Sequence, residues 1–465
     1  MKRNHLAKLF VTSLALVTAG ACGAPAASDI DVAAPGTSED ALHGHLLARM
    51  NINWGSRNLH LENTVRFKPV NPNADADRGR ARFGLAADLE TEDKTDALFE
   101  GSSLVYGGPV VSNQRTCFTC HRGKSENLGL PAGRLSDSIP LTDALFTGIE
   151  ADAQGDPDAF HNLNELGLVK YRPNRFNPQR PQSDGFRRAF GWRKSVRLVN
   201  TGLQHGFLTD GRGRVMFETA RGAVFSHTQG SDNRFDDLFS LQDGQDIEAF
   251  VFGDATLSDP RLAALRDESH PLHDTLVNDP YYTVDVQTDA QRRGQRVFHR
   301  YCFSCHNQPN VFGNAANVEP LGNGERPDDF PPWAPAVSKL YNVGVSEMNK
   351  HGLRFSEPDG NGGFTDIVIP LVDGDGVVHN YVQDMDIGLA ATTGRYEDLG
   401  RFKVPQLRDL ANNAPYFHDN SAATLEEVVD YFNSAHYNSS RDGRQMPIHL
   451  EAQQRADLIA FLYIL

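Results

Sequence analysis

The chain has 465 residues, 39% hydrophobic and 23% charged, the proportions of a globular protein, with length for two or three domains. Acidic residues outnumber basic ones by 60 to 45, for a formal charge of −15. That excludes a surface built chiefly for nucleic-acid phosphates, which needs a basic face, and five cysteines in such a length exclude a disulfide-scaffolded fold.

The N-terminus reads as an export signal over residues 1–21. Lys2, Arg3 and Lys8 precede an apolar run from Leu9 to Thr18, and Ala19-Gly20-Ala21 offers a small-residue cleavage pattern. Cys22 follows at once, where a bacterial lipoprotein would be acylated; Ala19 stands where such signals usually have Leu, so lipidation of Cys22 and simple cleavage both stay open. Residues 22–45 are small and polar and read as a flexible tether.

A helical stretch is expected at Gly79-Arg80-Ala81-Arg82-Phe83, followed by Cys117-Phe118-Thr119-Cys120-His121 in a loop. Residues 122–190 are rich in Gly, Pro, Asp and Asn and read as a long excursion. Asp246 to Phe252 carries apolar residues at helical spacing. The order then repeats. Gly294-Gln295-Arg296-Val297-Phe298 is helical, Cys302-Phe303-Ser304-Cys305-His306 follows, and residues 307–400 form a second excursion. Within it Ile367 to Val382 reads as a hairpin turning at Asp373-Gly374-Asp375-Gly376, a turn rather than a calcium loop because Val377 stands where the next ligand would be. Thr424-Leu425-Glu426-Glu427 is a capping box opening a helix over Leu425–Phe432, and Asp457 to Tyr463 closes the chain as a second core-facing helix.

C-x-x-C-H is the attachment sequence of c-type haem. Two thiols, Cys117 and Cys120 or Cys302 and Cys305, add to the two vinyl groups of one porphyrin. The adjacent His121 or His306 then serves as proximal ligand to the iron. A Cys₄ zinc site would not require a histidine after each pair, and a thioredoxin-like redox pair would need one motif, not two. Two covalently bound c-type haems are therefore expected. The recurrence of G-x-x-x-F, C-x-x-C-H and a closing helix is the pattern of a cytochrome c fold, whose first and last helices cross beside the haem. The expected class is mainly α, with two cytochrome c-like haem domains in tandem, residues 46–275 and 276–465, enlarged by long loops and a small β-hairpin.

From about Gly79 to Leu465 the chain resembles the bacterial di-haem cytochrome c peroxidases and their relative MauG. The resemblance is carried by Phe402-Lys403-Val404-Pro405-Gln406-Leu407-Arg408, by Ala414-Pro415-Tyr416-Phe417-His418-Asp419 and, in the first half, by Leu198-Val199-Asn200 with Asp210-Gly211-Arg212. It implies that hydrogen peroxide reacts at the N-terminal haem, on His121, while the C-terminal haem, on His306, takes electrons from a donor and passes them on. It also locates departures. Thr209 stands where the family has a tryptophan between the haems, Thr219 for the distal glutamine, Ala223 for a proline, and Gln229 for the distal glutamate. Gln229 can hydrogen-bond a bound oxygen species but cannot shuttle a proton; His227 is the nearest titratable substitute. The histidine that closes the first iron at rest in peroxidases is replaced by Asp137, with His161 a remote alternative, so an open first site is expected.

The sixth ligand of the second haem, Met or Tyr in the family, falls on Phe432, which cannot bind iron; Tyr431, His436 and Met446 are the candidates, and an empty site is equally open. An Asn of the family's calcium site is replaced by Lys194, opposite the backbone near Asn413 and Pro415, so calcium is doubtful. The Lys194 ammonium taking its place and an ordinary solvated lysine are both open.

Three functions fit these residues: a peroxidase, an oxygen-dependent di-haem oxygenase, and an electron-transfer cytochrome without peroxidase activity. The expected location is the periplasm, with membrane contact only through a lipid anchor. A small redox protein is the expected donor, cationic if the acidic balance steers it.

Overall fold

In the computed structural model, which describes residues 67, 70–88, 90–94, 114–123, 128–147, 153, 155–173, 184–204, 206–213, 215–227, 239–313 and 340–465, helices carry the fold and the strands form only two-stranded ladders. The elements that position the site are, in chain order, α1 (Ala76–Phe83), α2 (Cys117–Cys120), α3 (Ala159–Leu166), β1 (Leu168–Tyr171), α4 (Asp184–Arg188), β2 (Gly191–Lys194), α5 (Met216–His227) and α6 (Leu241–Gly253). They continue with α7 (Asp289–Tyr301), β3 (Leu340–Tyr341), β4 (Val368–Val372), β5 (Val378–Val382), β6 (Phe402–Lys403), α8 (Leu425–Phe432), α9 (Ala435–Ser439) and α10 (Ala452–Leu462). No helix among the described residues is long and apolar enough to cross a membrane.

Local chemistry sets the helix ends. The Asp75 carboxylate accepts from the Asp77 and Arg78 N–H groups, and Gly84 closes α1 at φ 86°, which a side chain would resist. Capping boxes open α6 (Ser240 with Asp243) and α7 (Thr288 with Gln291). At α8 the expected box is only half formed. Thr424 Oγ1 accepts from Glu427 N at 3.2 Å, but the Glu427 carboxylate reaches past Thr424 to Ala423 N at 3.1 Å because Lys350 also holds it at 2.9 Å.

Two helix crossings are built alike. At α1/α6 a Cβ on Gly79 would lie 1.9 Å from Asp246 O, and at α7/α10 a Cβ on Gly294 would lie 1.9 Å from Asp457 O. Only glycine admits such an approach. Beside each glycine an arginine pairs with the same aspartate, Arg78 with Asp246 and Arg293 with Asp457. Phe83 then packs on Phe250 with centroids 5.5 Å apart, and Phe298 on Phe461 at 5.4 Å. Each buried phenylalanine contributes about 1.5–3 kcal/mol by removal from water.

The two excursions are not free loops: they share a core. Leu168, Phe186 and Phe190 from the first, with Trp192 just beyond it, pack with Leu353, Phe355, Ile367, Ile369 and Ile387 from the second. The hairpin β4–β5 pairs Val368 with Val382 and Val372 with Val378, sending Ile369 and Leu371 inward. Asp373 makes the turn, its carboxylate accepting from Asp375 N and Val377 N and meeting His379 Nε2 at 2.7 Å.

A buried ion network ties the regions together. The Arg193 guanidinium donates to Asp210 at 2.7 Å and to Asp386 at 2.6 and 2.9 Å, and Arg212 donates to Asp210 at 2.6 Å. Burial opposes ionisation of Asp210, but Arg212 and Arg193 overcome it and hold the carboxyl at about 2.

Candidate functional site

The first C-x-x-C-H motif is a short helix, not the loop expected. Thr116 caps α2 by exchanging hydrogen bonds with Thr119, and Glu92 accepts from both hydroxyls at 2.7 and 3.0 Å. This turn puts Cys117, Cys120 and His121 on one support, with His121 N donating to Cys117 O at 3.0 Å. The second motif continues directly from α7, where Cys302 caps the helix and His306 N donates to Cys302 O at 3.0 Å.

Among the described residues, no disulfide joins the four motif cysteines. Burial pushes Cys117 and Cys302 up to about 12, with the neighbouring thiol adding to the shift. Burial also brings His121 and His306 down to about 4, so both imidazoles are neutral at pH 7. Their Nδ1 atoms are engaged by backbone, His121 with Leu128 O at 3.1 Å and His306 with Phe312 O at 2.8 Å. The two carbonyl residues both adopt positive φ, 56° and 55°. A neutral imidazole with Nδ1–H donating leaves Nε2 as an unprotonated donor, the state that a metal ligand requires. Two thiols plus such a nitrogen, twice over, fit a haem at each motif.

The structure sorts the other candidates. His227 is the last residue of α5 and half-buried, and a positive charge on it would disfavour protonation of His121. Gln229 and Cys22 lie outside the described residues. Thr219 turns its hydroxyl back to Val215 O at 2.8 Å. Asp137 and His161 are both exposed. For the second motif, Tyr431 donates to Val343 O and His436 Nε2 meets Gly344 O, both at 2.7 Å, so one turn of backbone occupies both polar groups. The Met446 thioether instead lies 3.9 Å from Cys305 Sγ, and Tyr437 steadies its backbone by donating to Met446 O at 3.0 Å.

Lys194 is not a solvated lysine. Its ammonium donates to the carbonyls of Pro415 and Asn413, and burial lowers it to about 8, leaving it charged at neutral pH. A counterpart exists across the molecule. Lys403 Nζ donates to Gly206 O at 3.0 Å and to Gln204 Oε1 at 2.7 Å. The backbones reciprocate, Lys194 N donating to His418 O at 2.8 Å and Lys403 N to Thr209 O at 3.0 Å. Residues 194–213 and 403–422 thus follow one path. Asn200 and Asp409, Leu208 and Phe417, and Gly211 and Asn420 share positive φ, and bridges close Phe207 to Gly213 and Tyr416 to Ala422. This longer repeat went unread in the sequence, although Lys194 to Asn200 aligned on Lys403 to Asp409 would have revealed it. It places His418, stacked on Phe402 with centroids 4.0 Å apart, opposite Thr209.

A cavity of ≈ 370 Å³ adjoins the first motif, walled by Cys120, Arg115, Phe146, Lys170 and Trp192. Trp192 is fixed by its indole N–H donating to Arg354 O at 3.2 Å. Lys170 is fixed by Asp156 and lies 3.9 Å from the Phe190 ring centroid.

No family model matches the chain. Cytochrome-c peroxidase IdrP1 of Pseudomonas sp. (strain SCT) is 37% identical over 287 residues, spanning 58% of this chain and 67% of that protein. Cytochrome-c peroxidase IdrP2 of Denitromonas iodatirespirans is 23% identical over 305 residues, 62% of this chain and 72% of its own length. Methylamine utilization protein MauG of Methylorubrum extorquens is 36% identical over 92 residues, 17% of this chain and 25% of its own. With its paired haem motifs, the chain therefore belongs to the bacterial di-haem cytochrome c peroxidase and MauG family and is an oxidoreductase of the peroxidase type.

Proposed function

We propose that the protein is an exported, periplasmic oxidoreductase with two covalently bound c-type haems. It reduces hydrogen peroxide at the N-terminal haem with electrons relayed through the C-terminal haem from a small redox protein. In this reading residues 46–275 and 276–465 are two cytochrome c-like haem domains in tandem, preceded by the signal of residues 1–21. The repeated crossings at Gly79 and Gly294 support the division. When bound, the haem supplies the redox centre at which peroxide is reduced.

The asymmetry between the two motifs carries the assignment. Met446 brings a thioether to the second motif, 3.9 Å from Cys305 Sγ. At the first, the residues at the closing-ligand positions, Asp137 and His161, face solvent. A coordinatively filled haem relays electrons, whereas one with an open position binds a reactant. His121 and His306 would hold the two irons, and the Met446 thioether would serve as the further ligand at the second motif. His227 is the proton-handling group, because reducing one peroxide to two waters consumes two protons and Gln229 offers no titratable group. The buried Lys194 ammonium, already satisfied by two carbonyls, takes the electrostatic place of a calcium ion.

Stopped-flow spectroscopy of the reduced protein with millimolar peroxide, read beside low-temperature EPR, tests this. The expected result is a high-spin signal from the His121 haem, a low-spin signal from the His306 haem lost in Met446→Ala, and peroxide-dependent oxidation slowed in His227→Ala. Two low-spin haems with no spectral change within minutes would assign the protein to electron transfer alone.

A further inference from the structure

The two haem motifs sit on one scaffold used twice, so positions that differ between the copies identify what was specialised. Lys194 and Lys403 occupy equivalent places, and the residue that follows each differs. In the first copy it is Ser195, with Oγ 3.2 Å from His121 Nδ1. In the second it is Val404, buried and without a polar atom to offer. The carbonyls that meet Nδ1, from Leu128 and Phe312, are common to both copies, so the serine hydroxyl is an addition to a shared arrangement.

We propose that Ser195 is a positioning residue for the first haem. It accepts a share of the His121 Nδ1–H beyond the backbone contacts that both copies make, and thereby holds that haem's reduction potential below the second's. The inference rests on the proposed pair of c-type haems. With Nε2 committed to iron, Nδ1 carries the ring proton and can only donate. Each acceptor on that proton leaves more electron density on the imidazole, a stronger ligand that favours the oxidised iron. The hydroxyl is held from the far side of the molecule. Its neighbour Lys194 is pinned through N to His418 O and through Nζ to Pro415 O and Asn413 O. Arg193, one residue earlier, is locked between Asp210 and Asp386. The backbone that presents Ser195 is thus fixed by contacts to the half that carries the second motif, which sets the position of its Cβ beside the ring.

The test uses the full holo-protein. A pyridine haemochrome count of two haems per chain comes first; a lower count overturns the di-haem reading itself, independently of any role for Ser195. Spectroelectrochemical titration of Ser195→Ala is then expected to raise the reduced-to-oxidised ratio of the first haem about tenfold at a fixed poise, 59 mV for a one-electron couple, with the second haem unmoved. The iron–histidine stretch of the ferrous first haem is expected to fall in resonance Raman spectra. Ser195→Thr, which keeps the hydroxyl, restores both values, and Val404→Ser shifts the second haem downward. An unchanged potential and stretch in Ser195→Ala with both haems retained would overturn the proposal, as would an equal shift of both haems or failure of Ser195→Thr to restore them.

Discussion

Around His121 and His306 the same backbone is laid down twice, with a glycine-notched helix crossing, a C-x-x-C-H turn, a positive-φ carbonyl on Nδ1 and a lysine that reaches into the other copy. The two regions then diverge in the side chains that complete them. The first has Ser195 against its histidine and His227 nearby; the second has Val404 and the Met446 thioether. The shared parts are backbone geometry, and the unshared parts are the side chains set beside each motif. The proposed difference in reactivity between the two motifs rests on those few side chains on a duplicated frame.

The largest effect separating the regions comes from removing each pair of thiols. Cys117→Ala/Cys120→Ala is expected to leave one haem and abolish peroxide turnover. Cys302→Ala/Cys305→Ala also leaves one haem but retains peroxide consumption with a small chemical reductant, losing only turnover driven by a protein donor. Haem stain and stopped-flow assays read both, and equal loss of all turnover in the two variants would break the division of roles.

Next in size is the joint between the regions. Arg193→Met leaves Asp210 and Asp386 buried without their shared cation, an expected loss of about 3–5 kcal/mol in urea denaturation. The same network predicts acid lability. The Asp210 carboxyl is held at about 2, below its unfolded value, so its stabilisation is complete above the ordinary carboxylate range and disappears as pH falls from about 4 toward 2. The loss is about 2 kcal/mol, and the decline should flatten in Arg193→Met. The smallest effect concerns the reciprocal lysines. Lys194→Met leaves the Pro415 and Asn413 carbonyls unpaired and is expected to cost about 1–3 kcal/mol. Lys403→Met should cost a similar amount, and a much larger loss for one than the other would show that the repeat is geometric without being energetic.

Much of this was legible in the residues alone. C-x-x-C-H names its chemistry because two thiols and an imidazole at fixed separation satisfy one porphyrin, and the G-x-x-x-F stretches locate the crossings because only glycine admits a backbone at contact distance. The helices at Ala76–Phe83, Asp289–Tyr301 and Ala452–Leu462 follow from caps and apolar spacing. The hairpin followed from alternation and its Asp-Gly turn. Two local expectations needed correction. The first motif is helical because Thr116, Thr119 and Glu92 cap it, and the box at Thr424 is diverted by Lys350. Of these partners, Glu92 and Lys350 are distant in sequence from the helix ends they bear on.

Sequence by itself determined the two C-x-x-C-H motifs, the mainly helical class and the family, because each rests on fixed spacing or on periodicity within one segment. Tertiary structure alone separates the surroundings of Tyr431, His436 and Met446: backbone carbonyls at Val343 and Gly344 engage the first two, and the thioether lies beside Cys305. It also decided that Lys194 is a buried tie rather than a surface charge, and that Ser195 rather than Val404 touches a proximal histidine. These outcomes depend on which groups from distant segments compete for the same donor or acceptor, and that competition exists only once the two halves have packed.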